Sequence, residues 1–123
     1  MIISIEKKKF YEAVHIVARF AERKSATLPV LSSILIIAGD DGIKMRATNL
    51  ETGIDLKLDG ECTTKGVVAI PAVILQQIAS SYTQEGKITI EHTGDIISIT
   101  SGTSKSSIKT TPYDDFPSIP FPE

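Results

Sequence analysis

What most constrains this chain is an order of hydrophobic periods that occurs twice. Ile2 to Ile5 is a short β-branched run of strand type, and from Lys7 to about Arg23 the apolar spacing lengthens to that of a helix. On a helical wheel Phe10, Ala13, Val14, Ile16, Val17, Phe20 and Ala21 gather on one side, opposite Lys8, Tyr11, Glu12, His15, Arg19, Glu22 and Arg23. Three strand-like runs follow, Leu31 to Ala38, Ile43 to Thr48 and Ile54 to Leu58, separated by the turn sequences "GDDG" and "ETG". Then the order restarts. Val67 to Ile70 is strand-like, Pro71 stands where a helix can begin, and Ala72 to Ser81 sets Ile74, Leu75 and Ile78 against Gln76, Gln77 and Ser80. Lys87 to His92, Ile96 to Thr100 and Ser104 to Thr110 complete the set, with "TGD" and "SGT" as turns.

The chain therefore reads β-α-β-β-β twice, with a period of roughly 60 residues. This predicts an α+β fold made of two repeats, about 1–62 and 63–111, followed by a strap over 112–123. Each helix has a single apolar stripe to bury, so both can lie side by side on one face of the sheets. Their polar sides would then share one surface, which suits a ligand much larger than a metabolite. The strap "DDFPSIPFPE" is neither helix nor central strand, because its three prolines lack N–H groups and hold their neighbours extended.

Composition sets the remaining bounds. The 123 residues are 41% hydrophobic and 23% charged, as expected of one globular domain. The longest apolar run is Ile34 to Ala38, far short of the roughly 20 residues of a membrane span, and no signal-peptide pattern opens the chain. A cytoplasmic protein without membrane contact is expected. Cys62 has no cysteine partner, and with only His15 and His92 beside it no zinc-type spacing exists, so no metal or cofactor is expected.

Motifs for nucleotide binding, serine hydrolysis and zinc proteolysis are missing from the sequence, which argues against an enzyme. "GDDG" has the form of an RNA-clamping loop, yet it joins strands rather than helices and reads as a hairpin turn. The formal net charge of −2 does not announce a nucleic-acid binder, so such a role rests on local charge. Lys8, Arg19 and Arg23 share the polar side of the first helix and Lys24 follows, but Glu12 and Glu22 lie among them. By itself that pattern describes a mixed-charge solvated face.

Four ordered motifs add a resemblance that covers the whole chain. Thr27-Leu28-Pro29-Val30-Leu31, Thr48-Asn49-Leu50-Glu51, Ile70-Pro71-Ala72 and Asp115-Phe116-Pro117 make the sequence similar to the N-terminal domain of the bacterial DNA polymerase III beta subunit, the sliding-clamp family. The resemblance implies the DNA clamp fold and a non-enzymatic, nucleoid-associated role in DNA replication. Two subunits would close head-to-tail into a homodimer ring around double-stranded DNA, holding DNA polymerase III as a processivity factor, with a clamp loader as a further partner. Such a ring needs only weak, sequence-independent phosphate contacts.

On this resemblance Lys8, Arg19, Arg23 and Lys24 face DNA, with Arg23, Lys24 and Ser25 as alternatives for one contacting position. Family members often carry basic residues after the Pro-Ala step; here Val73 and Ile74 stand there, leaving the second helix to contribute neutral Gln76, Gln77 and Ser80. The last strand supplies a subunit interface through Ser104, Ser106 and Ile108. The strap leads toward a second domain, and a chain holding one half of a head-to-tail interface is expected to be monomeric. The competing reading is a stand-alone protein-interaction module with Ser104 to Thr110 as an open edge.

Overall fold

A computed structural model of the chain describes residues 1–21, 32–49, 52–81, 86–102 and 104–110. The elements run β1 (Ile2–Glu6), α1 (Lys7–Val17), a 3₁₀ turn (Ala18–Phe20), β2 (Ser33–Gly39), β3 (Gly42–Thr48) and β4 (Gly53–Leu58). They continue with β5 (Glu61–Thr64), β6 (Gly66–Pro71), α2 (Ala72–Ser81), β7 (Lys87–Thr93), β8 (Ile96–Ser101) and β9 (Ser104–Lys109). The strap at 112–123 lies outside the described residues, as do Arg23, Lys24 and Ser25.

Two antiparallel sheets result, ordered β5-β1-β7-β8-β9 and β4-β3-β2-β6. Each contains a three-stranded meander from one repeat joined by the first strand of the other, and β5 adds a fifth strand to the first sheet beyond β1. β1 pairs with β7 through Ile3 to Ile90 and Ile5 to Ile88, while β6 pairs with β2 through Val68 to Ile36 and Ile70 to Ile34. The registers correspond throughout: Ile36 faces Met45 as Ile90 faces Ile99, and Ile43 faces Leu58 as Ile97 faces Ile108. Because side chains alternate across a strand, these matched registers send the same apolar set of both halves to one core.

That core is continuous. Phe10, Val14 and Val17 from α1 and Leu75 and Ala79 from α2 pack onto Ile3, Ile5, Ile34, Ile36, Ile88 and Ile90, all of them buried. α1 contacts α2 and strands of both sheets, and α2 rests on β2 and β6. Fully burying one such side chain stabilises the fold by about 1.5–3 kcal/mol. Turn chemistry fixes the hairpins: Gly94 and Gly102 take φ of +63° and +59°, where a side chain would be strained. Gly60 serves differently, since a Cβ there would come within 2.8 Å of the Ser4 carbonyl oxygen as the chain passes from β4 to β5.

Three expectations need correction. α1 ends at Val17 rather than continuing to Arg23: the 3₁₀ turn rotates more per residue, Ala21 is extended at φ −83° and ψ 148°, and Phe20 and Ala21 reach the core. Ile16 and Ile74 do not belong to the buried stripes, being 43% and 39% exposed. They sit about 100–120° round the helix from Phe10 and Leu75, beyond the stripe the sheets cover. β5 went unread because its four residues, Glu61-Cys62-Thr63-Thr64, are polar or small and show no apolar alternation.

Candidate nucleic-acid interface

The two helices present a common outer face. On α1 its exposed residues are Lys8, Lys9, Glu12 and Ile16, with Arg19 on the following turn; on α2 they are Val73, Ile74, Gln77, Ser80 and Ser81, while Gln76 is half-buried. The exposed positions match in helical order: Lys8, Lys9 and Glu12 are the second, third and sixth residues of α1, as Val73, Ile74 and Gln77 are of α2. α2 contains no charged residue, so its contribution is uncharged amide and hydroxyl groups beside two aliphatic side chains.

Not every cation on this face is free. Lys9 Nζ lies 3.3 Å from Asp59 and 4.0 Å from Glu6, so its charge is largely answered within the chain. Lys8 and Arg19 have no ion-pair partner among the described residues and remain the available cations. They stand at opposite ends of the helical segment, with Glu12 between them. So few uncompensated cations are consistent with loose attraction to phosphates rather than tight capture.

Where the helices meet, His15 is half-buried, and its Nε2 lies 3.3 Å from the Ser80 hydroxyl. Its ring is tilted 54° against Tyr11, with centroids 4.3 Å apart. The helical wheel sets His15 on the polar side of the first helix; the structure makes it a polar link between α1 and α2. Tyr11 and His15 are four apart, the spacing at which helical side chains meet, and that was the available signal.

The expected subunit edge is rearranged in detail. β9 is the outer strand of its sheet, and Ser104 is exposed and Ser106 half-buried. Ile108, however, is 6% exposed and belongs to the core, opposite Ile97. Alternation turns it inward, so its side chain offers nothing to a second subunit, and an Ile108→Asp change would strike the core. Lys105, Ser107 and Lys109 are the other exposed residues of the strand.

Among the described residues no group of three or more His, Cys, Asp or Glu side chains converges as a metal site. Cys62 borders a shallow hollow with Gly39, Asp40, Gly42, Gly60, Thr63 and Lys65, and there Lys65 is already paired with Asp40 at 2.7 Å. No described helix is long and apolar enough to cross a membrane.

Matched meanders with exchanged first strands, and two helices sharing one mildly cationic face, define the clamp class of α+β domains. The family model for the DNA polymerase III beta subunit, N-terminal domain, matches residues 1–120. The beta sliding clamp of Micrococcus luteus is 28% identical over 120 residues, covering 98% of this chain and 38% of the relative. That of Vibrio cholerae is 33% identical over 96 residues, covering 76% and 26%. In structure, the DNA polymerase sliding clamp of Caulobacter crescentus superposes with a TM-score of 0.89 at 27% identity, over 98% of this chain and 33% of that one. The chain belongs to the family of DNA polymerase III beta subunit N-terminal domains. It spans about a third of the length of the relatives it matches.

Proposed function

We propose that this chain serves as one domain of a sliding clamp, a non-enzymatic cytoplasmic ring that encircles duplex DNA and keeps the replicative polymerase on its template. The observation that carries the reading is the common face of α1 and α2, whose available cations are few. A ring retained by topology has no need of base readout, and strong phosphate binding would slow its sliding. In this reading Lys8, Arg19, Gln77 and Ser80 look toward the duplex, with Gln76 at the margin, and Arg23 and Lys24 extend the same face. The backbone edge of β9, with Ser104 and Ser106, joins a second subunit. Residues 1–62 and 63–111 act as the two repeats, and 112–123 as the connection onward. DNA polymerase III and a clamp loader would engage the complete ring.

The test is a titration of isotope-labelled chain with duplexes of unrelated sequence. Resonances of Lys8, Arg19, Gln77 and Ser80 should shift together, with dissociation constants of about 10⁻⁴ M or weaker at physiological salt and no sequence preference. The double change Lys8→Glu with Arg19→Glu should abolish the shifts. Shifts confined to β9, or a sequence-selective complex in the nanomolar range, would overturn the proposal.

A further inference from the structure

His15 stands at the middle of the face that the two helices share. It is the ninth residue of α1, and Ser80, whose hydroxyl lies 3.3 Å from its Nε2, is the ninth residue of α2. In two repeats that exchange their first strands, equal positions meet where the axis relating the repeats passes, so this contact marks the centre of the surface. Lys8 lies seven positions before His15 and Arg19 four positions after it. That leaves roughly 10 Å of helix on one side of the imidazole and about 6–7 Å on the other.

The site accepts a proton without losing its internal link. A hydroxyl both donates and accepts, so Ser80 can donate to a bare Nε2 or accept from a protonated one. Few charges surround the ring. Glu12 lies one turn before it and Arg19 one turn after it, opposite in sign and both exposed, and Tyr11 packs against it. α2 carries no charged residue. The strands beneath α1 turn Ile3, Ile5, Met45, Ala47, Ile54 and Leu56 toward the helices, while alternation sends Lys44, Arg46, Asp55 and Lys57 to the far side of the sheet.

We propose that His15 is a proton-dependent phosphate contact at the centre of this face, so that the chain holds duplex DNA more strongly as the pH falls. The inference rests on the reading that the helical face meets the duplex. An imidazole takes a proton from water between about pH 8 and pH 5 and then carries one positive charge. Lys8 and Arg19 are the cations otherwise available there among the described residues, so a third is a large fractional gain. The ring is also half-buried and held by Tyr11 and Ser80, and so loses less freedom on meeting a phosphate than a long exposed lysine does. His92, the other histidine, lies away from this face: on β7 it follows Ile88 and Ile90 in the core-facing row, and its Nε2 is buried.

NMR titrations with duplex across roughly 50–200 mM salt, at about pH 8 and about pH 5.5, test the proposal. The log–log slope should steepen by about 0.9 at the lower pH, which makes the gain on acidification about threefold larger at the low-salt end than at the high-salt end. His15→Gln keeps a neutral polar side chain beside Ser80 and should give one slope at both pH values. His15→Lys should give the steeper slope at both. A slope in the parent chain that ignores pH would overturn the proposal, as would a pH dependence that survives unchanged in His15→Gln. Failure of the underlying reading has its own signature, since Lys8→Glu with Arg19→Glu would then leave binding unchanged at the higher pH, and this inference would fall with it.

Discussion

α1 and α2 occupy corresponding places in the two repeats, bury corresponding positions, and differ almost completely in what they show to solvent. Where α1 exposes Lys8, Lys9 and Glu12, α2 exposes Val73, Ile74 and Gln77. The sheets repeat the contrast: Arg46 opposes Asp55 on one, whereas Thr100 opposes Lys105 at the matching site of the other. Shared architecture therefore resides in the buried half of each element, since packing tolerates little change of volume there. The outer half is left to specialise, and here it concentrates charge on the first repeat.

The largest effects should be those the two halves share. Phe10→Ala and Leu75→Ala each remove a fully buried side chain from one core and should cost about 3–5 kcal/mol, read as a fall in urea midpoint with unchanged slope. If one of them were nearly silent, the equivalence of the two helices would fail. The sheets should then part company. Asp55→Ala leaves Arg46 without a carboxylate that is 4% exposed and should cost about 1–3 kcal/mol, while Lys105→Ala should stay within about 0.5 kcal/mol. Equal costs would show that the ion pair contributes little.

Binding should sharpen the contrast further. Placing a cation on the bare helix with Val73→Lys should steepen the salt dependence of duplex binding by about 0.9 in log–log slope, one added phosphate contact, where Lys9→Ala should alter it less than Lys8→Ala. Isothermal or NMR titration across a salt series gives the slope. A Val73→Lys chain with an unchanged slope would place α2 away from the duplex. The smallest effect is expected at the junction: His15→Phe deletes the link to Ser80 but keeps the ring against Tyr11, and should cost about 1 kcal/mol or less.

Much of this was legible in the sequence because periodicity reports burial. Seven strands with apolar or β-branched runs, the polar β9 between its turn signals, and α2 from Ala72 to Ser81 lie close to where strand patterning and helical spacing put them. β5 gave no such signal. Ile16 and Ile74 misled because an apolar residue at the margin of a stripe has the same composition whether or not a sheet covers it. Ile108 misled for the converse reason: an edge strand in a polar run looks solvated, and only pairing with Ile97 reveals that alternate residues turn inward. For the candidate interface, sequence supplied the cations but not their availability. That Lys9 is answered by Asp59 fifty positions away, and that His15 meets Ser80, are properties of the fold.

The exchange of first strands also dictates when the domain can come into being. Ile3 is synthesised 87 positions ahead of its partner Ile90. At roughly 5–20 residues per second a nascent chain waits about 4–17 s for that partner, and about 3–12 s for β5, the strand on the other side of β1. Neither repeat can finish its sheet alone, so folding is deferred until both are out, and the long separation between paired strands makes the final step slow relative to a local hairpin. Through that interval Ile2 to Ile5 is the segment most exposed to mispairing with other nascent chains, which makes it the natural place for a chaperone to hold.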